Sequence, residues 1–242
     1  MSAQTRFAIT HAALIDGTGN TPLEDAVVLI ENGRVASVAA SGNLPLPEGT
    51  RQLNAEGRWL LPGMIDAHVH VSADEFIPIP PKGDRTAYMT IVATRNLRSA
   101  LQAGITTVRD VCGPRMNLAL RTAIERGQLV GPRIFTSGKG ICMTGGHGSG
   151  DPSAVHQVDS VQAVRQAVRE ERKAGADLIK LLTSHRTDEP EFSQQEIDAG
   201  VDEAHRLGLR VAIHAANLIT TNMAAIAGVD VIEHGSFMTS RQ

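Results

Sequence analysis

The fold is decided by residues 61–70, which read LPGMIDAHVH. In this stretch a short apolar run ends in two histidines that are separated by a single residue. Because successive side chains of a β-strand point to opposite faces, His68 and His70 are expected to share one face, with Asp66 behind them. Two neutral imidazoles on one face form a metal chelate without further folding. The alternative, two buried structural histidines, would require a separate hydrogen-bond partner for each ring.

Strand-like and helix-like segments alternate after this stretch, which is typical of a parallel sheet covered by helices. Six strands are predicted, at 64–71, 106–110, 133–137, 177–182, 210–214 and 230–233. Five helices are predicted, at 86–103, 117–125, 160–174, 193–207 and 219–227. Ser160 and Ser193 are the expected N-caps of two helices, and glycines follow the helix ends. We therefore predict that residues 62–242 have an α/β fold, a (β/α)8 TIM barrel.

The length of this region predicts an incomplete barrel. An eight-fold barrel takes about 250 residues, whereas about 180 follow Leu61, enough for about six βα units. An open six-stranded sheet would leave two edges without partners. We therefore expect a fragment or truncated reading frame that lacks the C-terminal part of the barrel. A complete, smaller fold is the alternative.

Residues 1–61 follow a different rhythm, with short apolar stretches separated by turn signals. Asn32-Gly33 is the clearest of these signals, because both residue types tolerate the positive φ angles of a type I′ hairpin turn. We predict that 1–61 is a small N-terminal β-sandwich domain, or part of one.

Composition narrows the class of partner. The chain has 242 residues, of which 42% are hydrophobic and 20% charged, and its formal net charge is −3. This mildly acidic balance gives no reason to expect nucleic acid or an anionic membrane as a partner. Cys112 and Cys142 are far apart and have no metal-type spacing, which favours a reducing compartment. The first residues lack the apolar segment of a signal peptide, and the expected location is cytoplasmic.

A lysine lies in the middle of the fourth predicted strand, where residues 177–182 read DLIKLL. Burying an unpaired ammonium is costly and lowers its pKa, so Lys180 is expected to be a nucleophilic amine. Such an amine can add to carbon dioxide, and the resulting carbamate has two oxygens that can bridge two cations. The alternative is a lysine near the strand end whose ammonium reaches water.

Two further histidines end the fifth and sixth predicted strands, where barrel enzymes place catalytic side chains. Either His214 or His234 alone could be a core or capping residue. Together with the lysine and the first histidine pair, they predict one metal site at the ends of strands one, four, five and six.

This pattern resembles the amidohydrolase superfamily, and within it most resembles the imidazolonepropionase-like and prolidase-like branch. The resemblance implies two divalent metal ions with ligands from His68, His70, Lys180, His214 and His234. The first two residues would hold one ion, the last two the other, and carboxylated Lys180 would bridge them. The lysine favours the binuclear prolidase-like type, because imidazolonepropionase is a single-metal enzyme without it. Zinc is the first expectation, while manganese, cobalt and iron stay open.

The resemblance also implies an activity, hydrolysis of a carbon–nitrogen bond by water activated between the two cations. The loop TGGHG at 144–148 is similar to a glycine-rich loop whose histidine contacts substrate. His147 would then bind the substrate or its developing oxyanion, and the alternative is a loop histidine in water. The implied substrates are an Xaa-Pro dipeptide or an N-acyl amino acid, with a cyclic amide or lactone open. Candidate partners for a substrate carboxylate are Lys139, His185 and Arg186, unless they are solvated surface residues.

One departure from the family pattern keeps a second function open. Family members carry an aspartate at the end of strand eight that ligates a metal and shuttles a proton, and residues 1–242 contain no equivalent. Asp66 and Asp110 are poor substitutes by position. The parent protein is therefore expected to be an active hydrolase, and residues 1–242 alone are expected to be inactive or nearly so. The alternative is a catalytically inactive fragment or a metal-binding scaffold protein. A phosphate-handling barrel is disfavoured because the glycine-rich loop lacks the lysine and hydroxyl of a P-loop. A homo-oligomer is compatible with the resemblance.

Overall fold

The computed structural model describes residues 6–74, 83–184 and 189–236. The chain divides into two compact units, Met1–Gly63 and Met64–Gln242. Across the described residues, no helix combines the length and apolar character needed to cross a membrane.

The first unit contains a mixed five-stranded sheet. Its strands are β1 (Arg6–Leu14), β2 (Leu23–Glu31), β3 (Arg34–Ala40), β4 (Arg51–Asn54) and β5 (Trp59–Leu60). The order is β3-β2-β1-β4, and β5 pairs with β1 beside β4. The predicted hairpin is confirmed, because Glu31 pairs with Arg34 and the two turn residues have φ angles of 52° and 75°. The described residues of this unit form one sheet, so the sandwich stays a prediction.

The second unit alternates strands and helices. Its strands are β6 (Met64–Val69), β7 (Ile105–Asp110), β8 (Arg133–Thr136), β9 (Gly140–Cys142), β10 (Val155–Gln157), β11 (Leu178–Leu182), β12 (Arg210–Ala215) and β13 (Val231–His234). Its helices are α1 (Arg85–Gln102), α2 (Met116–Glu125), α3 (Val161–Ala174), α4 (Gln194–Arg206) and α5 (Leu218–Ala227). All predicted strands and helices are present, with bounds that differ by at most two residues. The short strands β9 and β10 were not predicted.

All strand pairs of this unit are parallel, as the α/β prediction requires. One sheet has the order β6-β7-β8 and the other β10-β9-β11-β12-β13. Asp177 N donates to Thr136 O at 2.9 Å and joins the end of β8 to the start of β11. The carboxyl ends of the strands within each sheet therefore point the same way, while closure into an eight-stranded barrel stays a prediction.

The main core lies between strands β11 and β12 and helices α3 and α4. The buried side chains of α3 are Val164, Ala167, Val168 and Glu171, which follow helical spacing along one face. Every residue of β11 is buried, as expected for a parallel strand that is covered on both faces. This burial places the lysine of β11 inside the protein.

Helix ends match the signals in the sequence. Ser160 accepts a hydrogen bond from the backbone of α3, and Ser193 forms a capping box with Glu196 at the start of α4. Gly175 and Gly228 end α3 and α5 with φ angles of 98° and 73°. These caps fix where each helix returns the chain to the sheet, and so where each strand begins.

Candidate metal centre

A cleft of about 410 Å³ opens at the carboxyl ends of the strands of the second unit. Its lining includes the five predicted metal ligands and the predicted substrate-binding histidine: His68, His70, Lys180, His214, His234 and His147. The structure therefore brings together side chains from β6, β11, β12, β13 and the glycine-rich loop.

The histidine rings form a connected group. The ring centroid of His68 lies 5.4 Å from that of His70 and 5.0 Å from that of His234. His214 lies 4.5 Å from His234, and His147 stacks on His214 at 4.1 Å with an interplanar angle of 23°. As the side chains stand, no three His, Cys, Asp or Glu donors of the described residues already have the geometry of a metal site.

Lys180 is 1% exposed, and its Nζ has no hydrogen-bond partner. The alternative of an ammonium that reaches water is therefore wrong. Burial lowers the pKa of Lys180 to about 8, although the nearby Glu233 carboxylate acts in the opposite direction. A substantial fraction of this amine is consequently neutral near pH 8 and carries a free electron pair.

His214 is also buried, and its Nε2 has no hydrogen-bond partner. Burial, followed by the nearby His147, His234 and Lys180, lowers its pKa to about 3. His234 has φ 68° at the end of β13, outside strand geometry. In register His234 lies beside Ala215, and its ring centroid is 4.5 Å from that of His214. Both rings therefore lie in the cleft with the other histidines, as the prediction of one shared site requires.

Hydrogen bonds to Nδ1 orient the rings of His68 and His70. His70 Nδ1 lies 2.9 Å from the carbonyl oxygen of Cys112, and His68 Nδ1 lies 2.7 Å from Glu233 Oε2. Both partners accept hydrogen bonds, so each Nδ1 donates, and in a neutral ring the lone pair is then on Nε2. Histidines that bind metals commonly have such a partner on the other ring nitrogen.

Glu233 was not found from the sequence. It is 6% exposed, and its other oxygen accepts from Arg109 at 2.5 Å. Burial acts to raise the pKa of Glu233, but the His68 hydrogen bond and the charges of Lys180 and Arg109 outweigh it and lower that pKa. The only hint in the sequence is a carboxylate next to His234 in an otherwise apolar strand.

The glycine-rich loop is held through its backbone. Thr144 N donates to Asp159, and His147 N donates to Glu191 Oε2 at 2.8 Å. A Cβ atom on Gly146 would lie 2.6 Å from the same Glu191 oxygen, so a larger residue there would displace this carboxylate. Glu191 is a second residue that the sequence did not reveal. The loop histidine is half-buried and stacked in the cleft, which contradicts the alternative of a fully solvated ring.

Other nominated residues have different positions. Asp110 is fully buried and accepts from Val71 N, Asn117 and Thr136, so it braces strand ends and does not line the cleft. Burial raises its pKa. Lys139 donates to the carbonyl of Pro152 and is not part of the cleft lining. Of the three candidate carboxylate partners, His185 and Arg186 lie outside the described residues.

A parallel sheet that gathers histidines and a buried lysine at its carboxyl edge is the arrangement of barrel hydrolases, whose chemistry occupies that face. The chain belongs to the amidohydrolase family, whose model matches residues 59–242.

Individual relatives agree with this assignment. An ochratoxinase from Aspergillus niger is 28% identical over an alignment that covers 97% of this chain and 55% of that protein. An imidazolonepropionase from Cupriavidus taiwanensis is 26% identical, with 97% of this chain and 64% of that protein covered. A crystal structure of a Xaa-Pro dipeptidase with methionine bound in its active site has a TM-score of 0.86 and 31% identity, covering 98% of this chain and 63% of that one. The chain thus spans less than two thirds of the length of each of these relatives.

Proposed function

We propose that this protein is a metal-dependent hydrolase of carbon–nitrogen bonds that binds two divalent cations, with zinc as the first candidate. The observation that carries the proposal is that Lys180 Nζ and His214 Nε2 are both buried without hydrogen-bond partners in one cleft. A buried polar group without a partner costs about 1–3 kcal/mol, so two in one cleft call for a ligand. The donor set fits divalent transition metals, which prefer imidazole and carboxylate-type oxygen.

Each side chain would have a defined part. His68 and His70 would hold one cation and His214 and His234 the other. The Lys180 amine would form an N–C bond to carbon dioxide and release one proton, and the carbamate oxygens would bridge the pair. Bound cations would supply an activated water and polarise the scissile carbonyl.

His147 would act on the substrate directly. Its backbone is anchored by Glu191 and its ring stacks on His214, so the imidazole has little freedom to leave the cleft. A positioned imidazole can donate a hydrogen bond to the carbonyl oxygen as negative charge develops there.

The cleft favours an amide with apolar substituents, because its lining includes Met89, Pro114, Val155 and Leu182. A Xaa-Pro dipeptide or an N-acyl amino acid has that character, and the names of the relatives include a Xaa-Pro dipeptidase and an ochratoxinase. A small-molecule amide or dipeptide as the substrate, and a homo-oligomeric state, are likewise proposals.

The test is to measure metal content and hydrolysis together. We expect the purified parent protein to bind about two zinc ions per complete chain and to cleave at least one member of a Xaa-Pro dipeptide and N-acyl amino acid panel. His68→Ala and Lys180→Ala should lower metal content and abolish cleavage. Lys173→Ala, which changes an exposed lysine on α3, is the matched control.

Two outcomes would contradict the proposal. Wild-type protein that binds no divalent metal would remove its basis. Protein that binds metal but cleaves no member of the panel would favour the metal-binding scaffold.

A further inference from the structure

An ion pair between a buried glutamate and a half-buried arginine contacts His68 of the candidate metal centre. Glu233 on β13 accepts from His68 Nδ1 with one carboxylate oxygen and from Arg109 on β7 with the other, at 2.7 and 2.5 Å. Arg109 Nε also donates to the carbonyl of Ala67, at 2.6 Å. One guanidinium therefore holds both the carboxylate and the backbone next to His68.

We propose that Glu233, fixed by Arg109, is a positioning residue that sets the tautomer of His68 and so makes its Nε2 available to a metal ion. The inference rests on the proposed function, because it assigns a role in building the same metal site. It differs from a purely structural ion pair, which would join β7 to β13 without influence on the ring.

The hydrogen-bonding capacity of each partner carries the argument. An ionised carboxylate only accepts, so the proton of a neutral His68 must be on Nδ1 and the lone pair on Nε2. Arginine only donates, so Arg109 occupies the second carboxylate oxygen and prevents the group from turning. The Ala67 contact ties this arrangement to the backbone residue that precedes the ring.

The isosteric substitution Glu233→Gln distinguishes a positioning role from a purely structural ion pair. The glutamine amide has one oxygen, which accepts, and one NH2 group, which donates. Because Arg109 only donates hydrogen bonds, the amide oxygen is expected to face Arg109. The NH2 group then faces His68 Nδ1, which must act as an acceptor. The ring proton moves to Nε2, where it blocks metal binding.

A second substitution should reverse the defect. With Arg109→Met added to Glu233→Gln, no donor holds the amide oxygen, which is then free to turn toward His68 and restore the proton to Nδ1. A purely structural ion pair predicts the opposite, because loss of the second partner would repair nothing.

Zinc affinity of the metal-free protein, measured by competition with a chromogenic chelator, is the readout. We expect Glu233→Gln to weaken zinc binding about 10–100-fold, the usual effect of losing such a partner, and the double variant to recover most of that loss. Glu203→Gln is the matched control, since Glu203 is another buried carboxylate held by arginines but does not line the cleft.

Wild-type affinity in Glu233→Gln, or a double variant that binds no better than the single one, would overturn the inference while leaving the proposed function intact. Wild-type protein that binds no zinc would overturn both.

If Glu233→Gln does not fold, 15N NMR of the metal-free wild type determines which ring nitrogen of His68 carries the proton. The His68→Ala variant assigns the signal. A proton on Nδ1 supports the inference, and a proton on Nε2 overturns it.

Discussion

Glu203 shows how a single buried carboxylate connects two helices far from the cleft. It is 1% exposed on α4 and pairs with Arg165 and Arg169 of α3 and with Arg206 of its own helix. The hydrogen bond from Arg169, followed by that from Arg206, lowers the pKa of Glu203 to about 2, although burial opposes the shift. In the unfolded chain a glutamate has a pKa of about 4.3.

The shift predicts a pH-dependent contribution to stability. A carboxylate whose pKa is lower in the folded state stabilises the fold above its unfolded pKa, and this contribution disappears as the pH falls toward the folded value. We expect Glu203→Gln to lower the free energy of unfolding by about 1–3 kcal/mol at pH 7. The difference should shrink between pH 5 and pH 2. Urea unfolding at several pH values measures it, and a difference that is constant with pH would contradict the assignment.

For single residues, the sequence predicts candidate metal ligands better than it predicts the residues that orient those ligands. His68, His70 and Lys180 could be nominated because strand periodicity places each of them at a strand position where its residue type is unusual. Glu233 and Arg109 could not be nominated, because their roles depend on a contact across 124 residues and on a second one, with His68, across 165. No local pattern encodes such distances.

At the scale of a single element, the N-terminal cap of α4 can be tested by its effect on stability. The Ser193–Glu196 capping box satisfies backbone groups at the start of α4, which packs on both α3 and β12. We expect Ser193→Ala to lower the free energy of unfolding by about 1 kcal/mol. Ser99→Ala, at an exposed position inside α1, should be neutral or slightly stabilising because alanine is the better helix former. Urea unfolding compares them, and equal effects would show that the cap is not what matters.

Element prediction failed where segments are short. Strands β9 and β10 have three residues each, too few for a periodic pattern, and the glycines between them read as loop. Long helices with caps and the fully buried β11 were placed accurately because several local signals agreed. The strand order of the first unit beyond its hairpin could not be predicted, because the pairing of β4 with β1 joins segments that are distant in sequence.

For the whole molecule, metal binding and folding should be linked. A ligand that binds only the folded state stabilises it by about 2.7 kcal/mol when its concentration is 100 times its dissociation constant. We expect zinc to raise the melting temperature of the metal-free protein and a chelator to reverse the shift. Lys173→Ala should keep this response, and His68→Ala should lose most of it. Differential scanning calorimetry measures the shift, and an equal response in His68→Ala would place the bound zinc elsewhere.

The contact between His68 and Glu233 has a consequence for synthesis. Its partners lie 165 residues apart, so the ribosome must add all the intervening strands before the contact can form. At about 5–20 residues per second, this interval lasts on the order of ten to thirty seconds. During that time the first two histidines emerge as a bare chelate without the carboxylate that orients one of them. A metal ion captured at that stage would meet only part of the proposed ligand set, so loading of the centre is expected to follow the emergence of β13 from the ribosome.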